Sequence, residues 1–120
     1  MIAQAVIVNG SNEVLMVREY VERGDIVWNY PGGGVEVSET PEQACIREVK
    51  EETGYDVRII DCLCFENLKY TYRAEIVVGG LAENKPGPLN GDILEVKWVR
   101  LDDETVFDVV TRPIRDKLCG

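Results

Sequence analysis

The sequence predicts an α/β protein forming one domain over residues 1–120, and three observations predict it. Apolar, β-branched segments recur near the start, in the middle and late in the chain, as half-buried strands do. Among them lies one helix that carries both a start and a stop signal. The composition is 45% hydrophobic and 29% charged over 120 residues, which is enough apolar material to bury a core.

Taken in order, residues 2–8 and 14–17 read as two strands joined by a hairpin turn through Asn9-Gly10-Ser11-Asn12. Residues 18–26 are charged, contain a glycine and read as a loop. Trp28-Asn29-Tyr30-Pro31 then leads into Gly32-Gly33-Gly34, where unusual backbone angles or close approaches are expected. Thr40 is placed as N-cap, Pro41 suits the first helical position, Gln43 completes a capping box, and Gly54 is placed to end the helix. Residues 56–60 and 63–68 read as strands. Residues 69–78 continue as another, with Tyr70, Tyr72, Ala74, Ile76 and Val78 on one face. The glycines and prolines of residues 79–91 predict a long exposed loop suited to substrate contacts. Residues 93–101 resume as a strand, and residues 102–119 read as helical in two parts divided at Pro113.

Charge and residue usage narrow the chemistry. Acidic residues outnumber basic ones by 22 to 13, for a net charge of -9, which disfavours duplex nucleic acid and anionic membranes as partners. A polyanionic substrate would need a bridging cation. The first residues show no secretion leader and no run of about 18 apolar residues occurs, so a soluble cytoplasmic protein is expected. Cys45, Cys62, Cys64 and Cys119 match no zinc or redox spacing and read as buried thiols. With no histidine in the sequence, serine–histidine and cysteine–histidine mechanisms and the commonest zinc sites drop out. Carboxylates and hard cations remain.

The predicted helix supplies such carboxylates, because Glu48, Glu51 and Glu52 share one side at roughly 100° per residue. Cys45, Ile46, Val49 and Thr53 occupy a neighbouring sector that would pack on a sheet. Like charges at this spacing each cost about 0.2–0.5 kcal/mol, and anions near a helix C-terminus also oppose the macrodipole. A divalent cation turns that repulsion into coordination. The competing reading is a solvated acidic face relieved by Arg47 and Lys50. A calcium-binding or purely structural acidic domain is the least favoured reading, because the carboxylates lie on a helix and lack the loop spacing of an EF-hand.

The string from Gly33 through Glu39 to Arg47-Glu48-Val49-Lys50-Glu51-Glu52-Thr53-Gly54 resembles the Nudix hydrolase box, MutT-like, with Gly33, Glu39, Arg47, Glu48, Val49, Glu51, Glu52 and Gly54 in register. Tyr55 stands where the family carries an aliphatic residue. Trp28 before Pro31-Gly32-Gly33, and Val96-Lys97-Trp98-Val99, extend the likeness over most of the chain. The resemblance implies a Nudix-type α/β/α sandwich with a mixed β-sheet in a single domain. It also implies a pyrophosphohydrolase that cleaves a diphosphate linkage in a nucleoside di- or triphosphate or nucleotide derivative, using Mg²⁺ or Mn²⁺ and an activated water.

By the same resemblance Glu48, Glu51, Glu52 and the carbonyl of Gly32 are the metal ligands, Arg47 orients the glutamates, and Glu39 supports the loop. Glu48, Arg47 and Glu51 form the catalytic set, with Glu48 the first choice of base and Asp92 or Glu95 the alternatives. Arg18, Tyr20, Arg23, Trp28, Tyr70 and Asp92 are candidates for substrate contact, since aromatic faces stack on bases and guanidinium groups grip phosphate. For Trp28 and Tyr70, core packing competes with that role. The expected partner is a small nucleotide, and a homodimer is among the assemblies the resemblance allows. The opposing functional class is a nucleotide-sensing or protein-binding domain that keeps the fold without catalysis.

Overall fold

The computed structural model describes residues 1–20, 24–77 and 93–119. Its strands are β1 (Ile2–Val6), β2 (Glu13–Tyr20), β3 (Ile26–Asn29), β4 (Gly32–Gly34), β5 (Val57–Glu66), β6 (Lys69–Ile76) and β7 (Ile93–Arg100), with helices α1 (Pro41–Thr53) and α2 (Arg112–Cys119). They form a four-stranded sheet in the order β4-β1-β6-β5 and a three-stranded sheet in the order β3-β2-β7. The larger sheet is mixed, because β1 runs parallel to β6 and antiparallel to β4. The smaller is antiparallel throughout.

Strand alternation makes the layers. Ala3, Ala5, Ile7 and Leu15 face Ala44, Cys45 and Val49 of α1. Val6, Val14 and Met16, one residue out of phase, face Phe107 and Ile114 on the α2 side. The sheets are therefore covered on both faces, giving the α/β/α sandwich expected. Tyr55 fills a place in the α1-side core, as an aliphatic residue would.

The α1 caps follow the sequence reading. Thr40 Oγ1 accepts from Gln43 N at 3.1 Å and Gln43 Oε1 accepts from Thr40 N at 2.9 Å. Gly54 closes the helix at φ 82° and donates its N–H to the Lys50 carbonyl, a conformation that favours glycine.

Several elements differ from expectation. The turn after residue 8 exists, with Asn9 Oδ1 accepting from Ser11 N and Glu13 N, but β1 and β2 share little beyond a Val8–Val14 bridge and splay into separate sheets. The predicted loop at residues 18–26 is partly strand, since β2 runs to Tyr20 and β3 begins at Ile26. The two strands read at 56–60 and 63–68 are one strand, β5, whose register slips twice against β6. One slip falls between Cys62 and Cys64, leaving Cys62 exposed and Cys64 half-buried rather than both buried. Cys45 is buried, and desolvation pushes its thiol up to about 12. Ile46 is exposed at the edge of the packing sector. Residues 102–111 are turns rather than helix, and α2 starts at Arg112 with Pro113 in its first turn. Val78 and the loop at 79–91 lie outside the described residues.

Candidate active site

The three glycines before α1 form an edge strand rather than a run of strained backbone. Ile2, Ala3 and Gln4 pair with Gly34, Gly33 and Gly32. Their requirement is for space. A Cβ on Gly32 would collide with the Ala3 carbonyl and Gln4 Cα, and one on Gly33 would collide with the Glu48 carboxylate. Glycine here lets α1 press its acidic edge against β4.

Arg47 is the hub of that edge. Its guanidinium donates to Glu39 at 2.5 Å, Glu48 at 2.6 Å and Glu51 at 3.3 Å, and to the Gly34 carbonyl at 3.1 Å. Planar, multidonor geometry suits this task better than an ammonium. Hydrogen bonding to Glu39, then Glu48, raises the arginine above its ordinary value and fixes it as a cation. Glu39, bonded by Arg47 and by the Glu36 N–H, is held below the usual carboxylate range. Glu39 thereby ties the loop between β4 and α1 to the helix.

The three helix glutamates occupy three environments. The Glu51 side chain is 47% exposed and that of Glu48 14% exposed. Glu52 is 4% exposed as a residue, and its Oε1 accepts from Gly32 N at 2.9 Å. Burial raises the Glu52 carboxyl to about 8, despite the Gly32 hydrogen bond, and the charges of Glu19, Glu48 and Glu51 raise it further.

Glu19 is a member that sequence reading missed. On β2 it alternates with Arg18 onto the α1 side, in phase with Leu15, and its Oε1 accepts from Asn29 Nδ2 at 3.3 Å. A register slip against β7 falls between Arg18 and Glu19. The available signal was the alternation itself, since an acidic residue continues a strand face whose earlier members are buried.

Arg18 is exposed and lies 3.8 Å from Glu95. It pairs across the sheet with Trp28 and Glu95, and alternation sets these three with Tyr20 on the α2 side, away from Glu48. Trp28 packs partly on the α2-side core. Tyr70 packs on the α1-side core, its ring 4.2 Å from Phe65 and stacked 5.8 Å from Tyr72. Asp92 and Arg23 lie outside the described residues.

The fit of a divalent cation can be judged from these contacts. Among the described residues no three acidic or cysteine side chains form a preset cation cage, because Glu48 and Glu51 point to Arg47. Glu52 nevertheless keeps a buried carboxylate with one oxygen unbonded among the described residues, beside three further anions. Without a counter-charge this group keeps its proton at neutral pH, and a bound cation would take that proton's place. All the donors are oxygens, the set that Mg²⁺ and Mn²⁺ prefer. The residues fit the group.

Comparison with known proteins gives the wider setting. The family model described as the NUDIX domain matches residues 1–116. A Caenorhabditis elegans protein named as nudix hydrolase 1 is 32% identical over 96 residues, covering 76% of this chain and 25% of its own. The chain thus spans about a quarter of that relative. A Bacillus subtilis protein named as an 8-oxo-dGTP diphosphatase is 27% identical over 112 residues, covering 92% of this chain and 72% of its own. A solved NUDIX hydrolase from Nitrosomonas europaea superposes with a TM-score of 0.83 at 22% identity, over 98% of this chain and 86% of that one.

Proposed function

We propose, proceeding from the fact that this chain belongs to the NUDIX family, that it hydrolyses a diphosphate linkage in a nucleoside di- or triphosphate or nucleotide derivative with the help of Mg²⁺ or Mn²⁺. The single observation that carries the reading is Glu52, a carboxylate buried against Gly32 and surrounded by the charges of Glu19, Glu48 and Glu51. Glu48, Glu51, Glu52 and the Gly32 carbonyl would hold the cation. When bound, such an ion neutralises phosphate oxygens and acidifies a coordinated water.

The chain's own residues supply the rest. Arg47 orients Glu48 and Glu51 and is itself anchored on Glu39 and the Gly34 carbonyl. Glu48 accepts the proton of the attacking water. The new bond joins that water oxygen to phosphorus, the bridging P–O bond breaks, and the leaving phosphate departs with the bridging oxygen. Glu95 is the weaker base candidate because it lies on the α2 side with Arg18. The same reading makes residues 1–120 one catalytic domain, acting in the cytoplasm on a small nucleotide, as a monomer or homodimer, without a duplex nucleic acid or membrane partner. Among the described residues no helix is long and apolar enough to cross a membrane.

The test is a panel of nucleoside triphosphates, dinucleoside polyphosphates and nucleotide-sugar diphosphates with Mg²⁺ or Mn²⁺, scored for phosphate or pyrophosphate release. Turnover is expected with the wild type, falling at least about 100-fold in Glu52→Gln. Saturable binding without turnover across the panel would instead favour the nucleotide-sensing reading.

A further inference from the structure

Strand β5 forms the outer edge of the four-stranded sheet and, among the described residues, pairs on one side only, with β6. An open edge of this kind invites a further strand, and proteins commonly blunt it with bulges and charges. Both are present here. The first register slip leaves Ile60 unpaired between Ile59, which faces Ala74, and Asp61, which faces Arg73. Ile60 is 54% exposed, so it does little for the core.

The bulge has an electrostatic consequence. In a regular strand, residues three apart point to opposite faces. Arg58 and Asp61 instead share one, because Arg58 bonds Glu75, Asp61 bonds Arg73, and Glu75 and Arg73 are two apart on β6. At the open edge this face therefore ends in one cation and one anion, with side chains 74% and 45% exposed. Ion pairs so exposed contribute little to the fold.

Symmetry turns that arrangement into a preference for one partner. Two copies meeting edge to edge across a two-fold axis run antiparallel, and each contact between two residues occurs twice. An axis at Asp61 would oppose the two aspartates, and an axis at Arg58 the two arginines, both unfavourable. An axis between Ile59 and Ile60 sets Arg58 of each copy against Asp61 of the other. Each row across the pair then reads Glu75, Arg58, Asp61, Arg73, with the sign of charge alternating throughout. The two Ile60 side chains flank the axis, an apolar centre inside a charged rim. A second copy carries this complement by construction.

We propose that the outer edge of β5 is an interaction surface for a second copy of this chain, the two β5 strands pairing antiparallel about an axis between Ile59 and Ile60. Only the middle of β5 is covered, which places the contact among small, transient interfaces. Strand β4 lies at the opposite edge of the sheet and is left clear, so the inference stands or falls apart from what the chain hydrolyses.

The test is sedimentation of the full chain from about 5 µM to about 1 mM. The wild type is expected to pass from one copy to two over that range. Arg58→Asp opposes acids in both rows and Asp61→Arg opposes bases, so each should weaken association at least about tenfold. Mixed in equal amounts, the two variants should associate again, because the new acid of one meets the new base of the other while the native pair persists. Ile60→Cys in a Cys62→Ser background should link two copies through a disulfide on mild oxidation. That measurement changes no charge, so a folding failure of either charge variant would not leave the matter open. A chain that stays single at about 1 mM, association that survives both charge reversals, a mixture that stays single, or no disulfide between copies would each overturn the inference.

Discussion

Glu52 and Glu48 sit on one helix a turn apart, yet their surroundings give them different work. Glu52 loses its proton near 4.5 in an unfolded chain and near 8 in the fold, chiefly through burial. Between those values the folded protein binds a proton that the unfolded chain has lost, so stability falls as pH rises from about 4.5 to about 8 and is level beyond. Thermal unfolding in a chelator across pH 5–8.5 should show this decline. Glu52→Gln should remove that component and be the more stable protein at pH 8. Carboxylates held low, such as Glu39, titrate below this window and leave it clear. Gly33→Ala tests the other side of the contact. A methyl where the Glu48 carboxylate sits should displace that side chain and lower turnover by about 10- to 100-fold, read as kcat/KM against an unchanged far-ultraviolet spectrum. The helix glutamates and Arg47 were legible because they follow one another at fixed gaps on a single helix. Glu19 was not, since its approach to Glu52 depends on how the second sheet lies against α1, which no local spacing records.

At the scale of elements, legibility tracked how much the local chain stabilises itself. Helix α1 announces both ends through Thr40, Gln43 and Gly54, and Thr40→Ala should cost about 1 kcal/mol in urea denaturation. Strand β4 has no side-chain pattern at all, and only its partners Ile2, Ala3 and Gln4 make it a strand. Residues 102–111 were misread as helix because their side chains compete for the backbone. Asp103 accepts from Thr105 N, and Asp108 from Val110 N and Thr111 N, which closes turns where a helix would have continued. The double slip in β5 was equally hidden, as a bulge needs a partner strand before it has meaning.

For the whole molecule, the layered class followed from composition and patterning, but the division into two sheets did not. Leu15 is 1% exposed in the core that joins β2 of the smaller sheet to α1. Leu15→Ala should therefore destabilise the protein by about 2–5 kcal/mol in equilibrium denaturation, and so loosen Glu19 from the α1 carboxylates. Strand β1 lies between β4 and β6, and its parallel neighbour arrives only with residues 69–73. During synthesis this segment thus emerges with two open edges, and its parallel partner follows only with residues 69–73. Ribosome-arrested fragments ending before residue 69 should consequently be held by chaperones, with release beginning once β6 has cleared the exit tunnel.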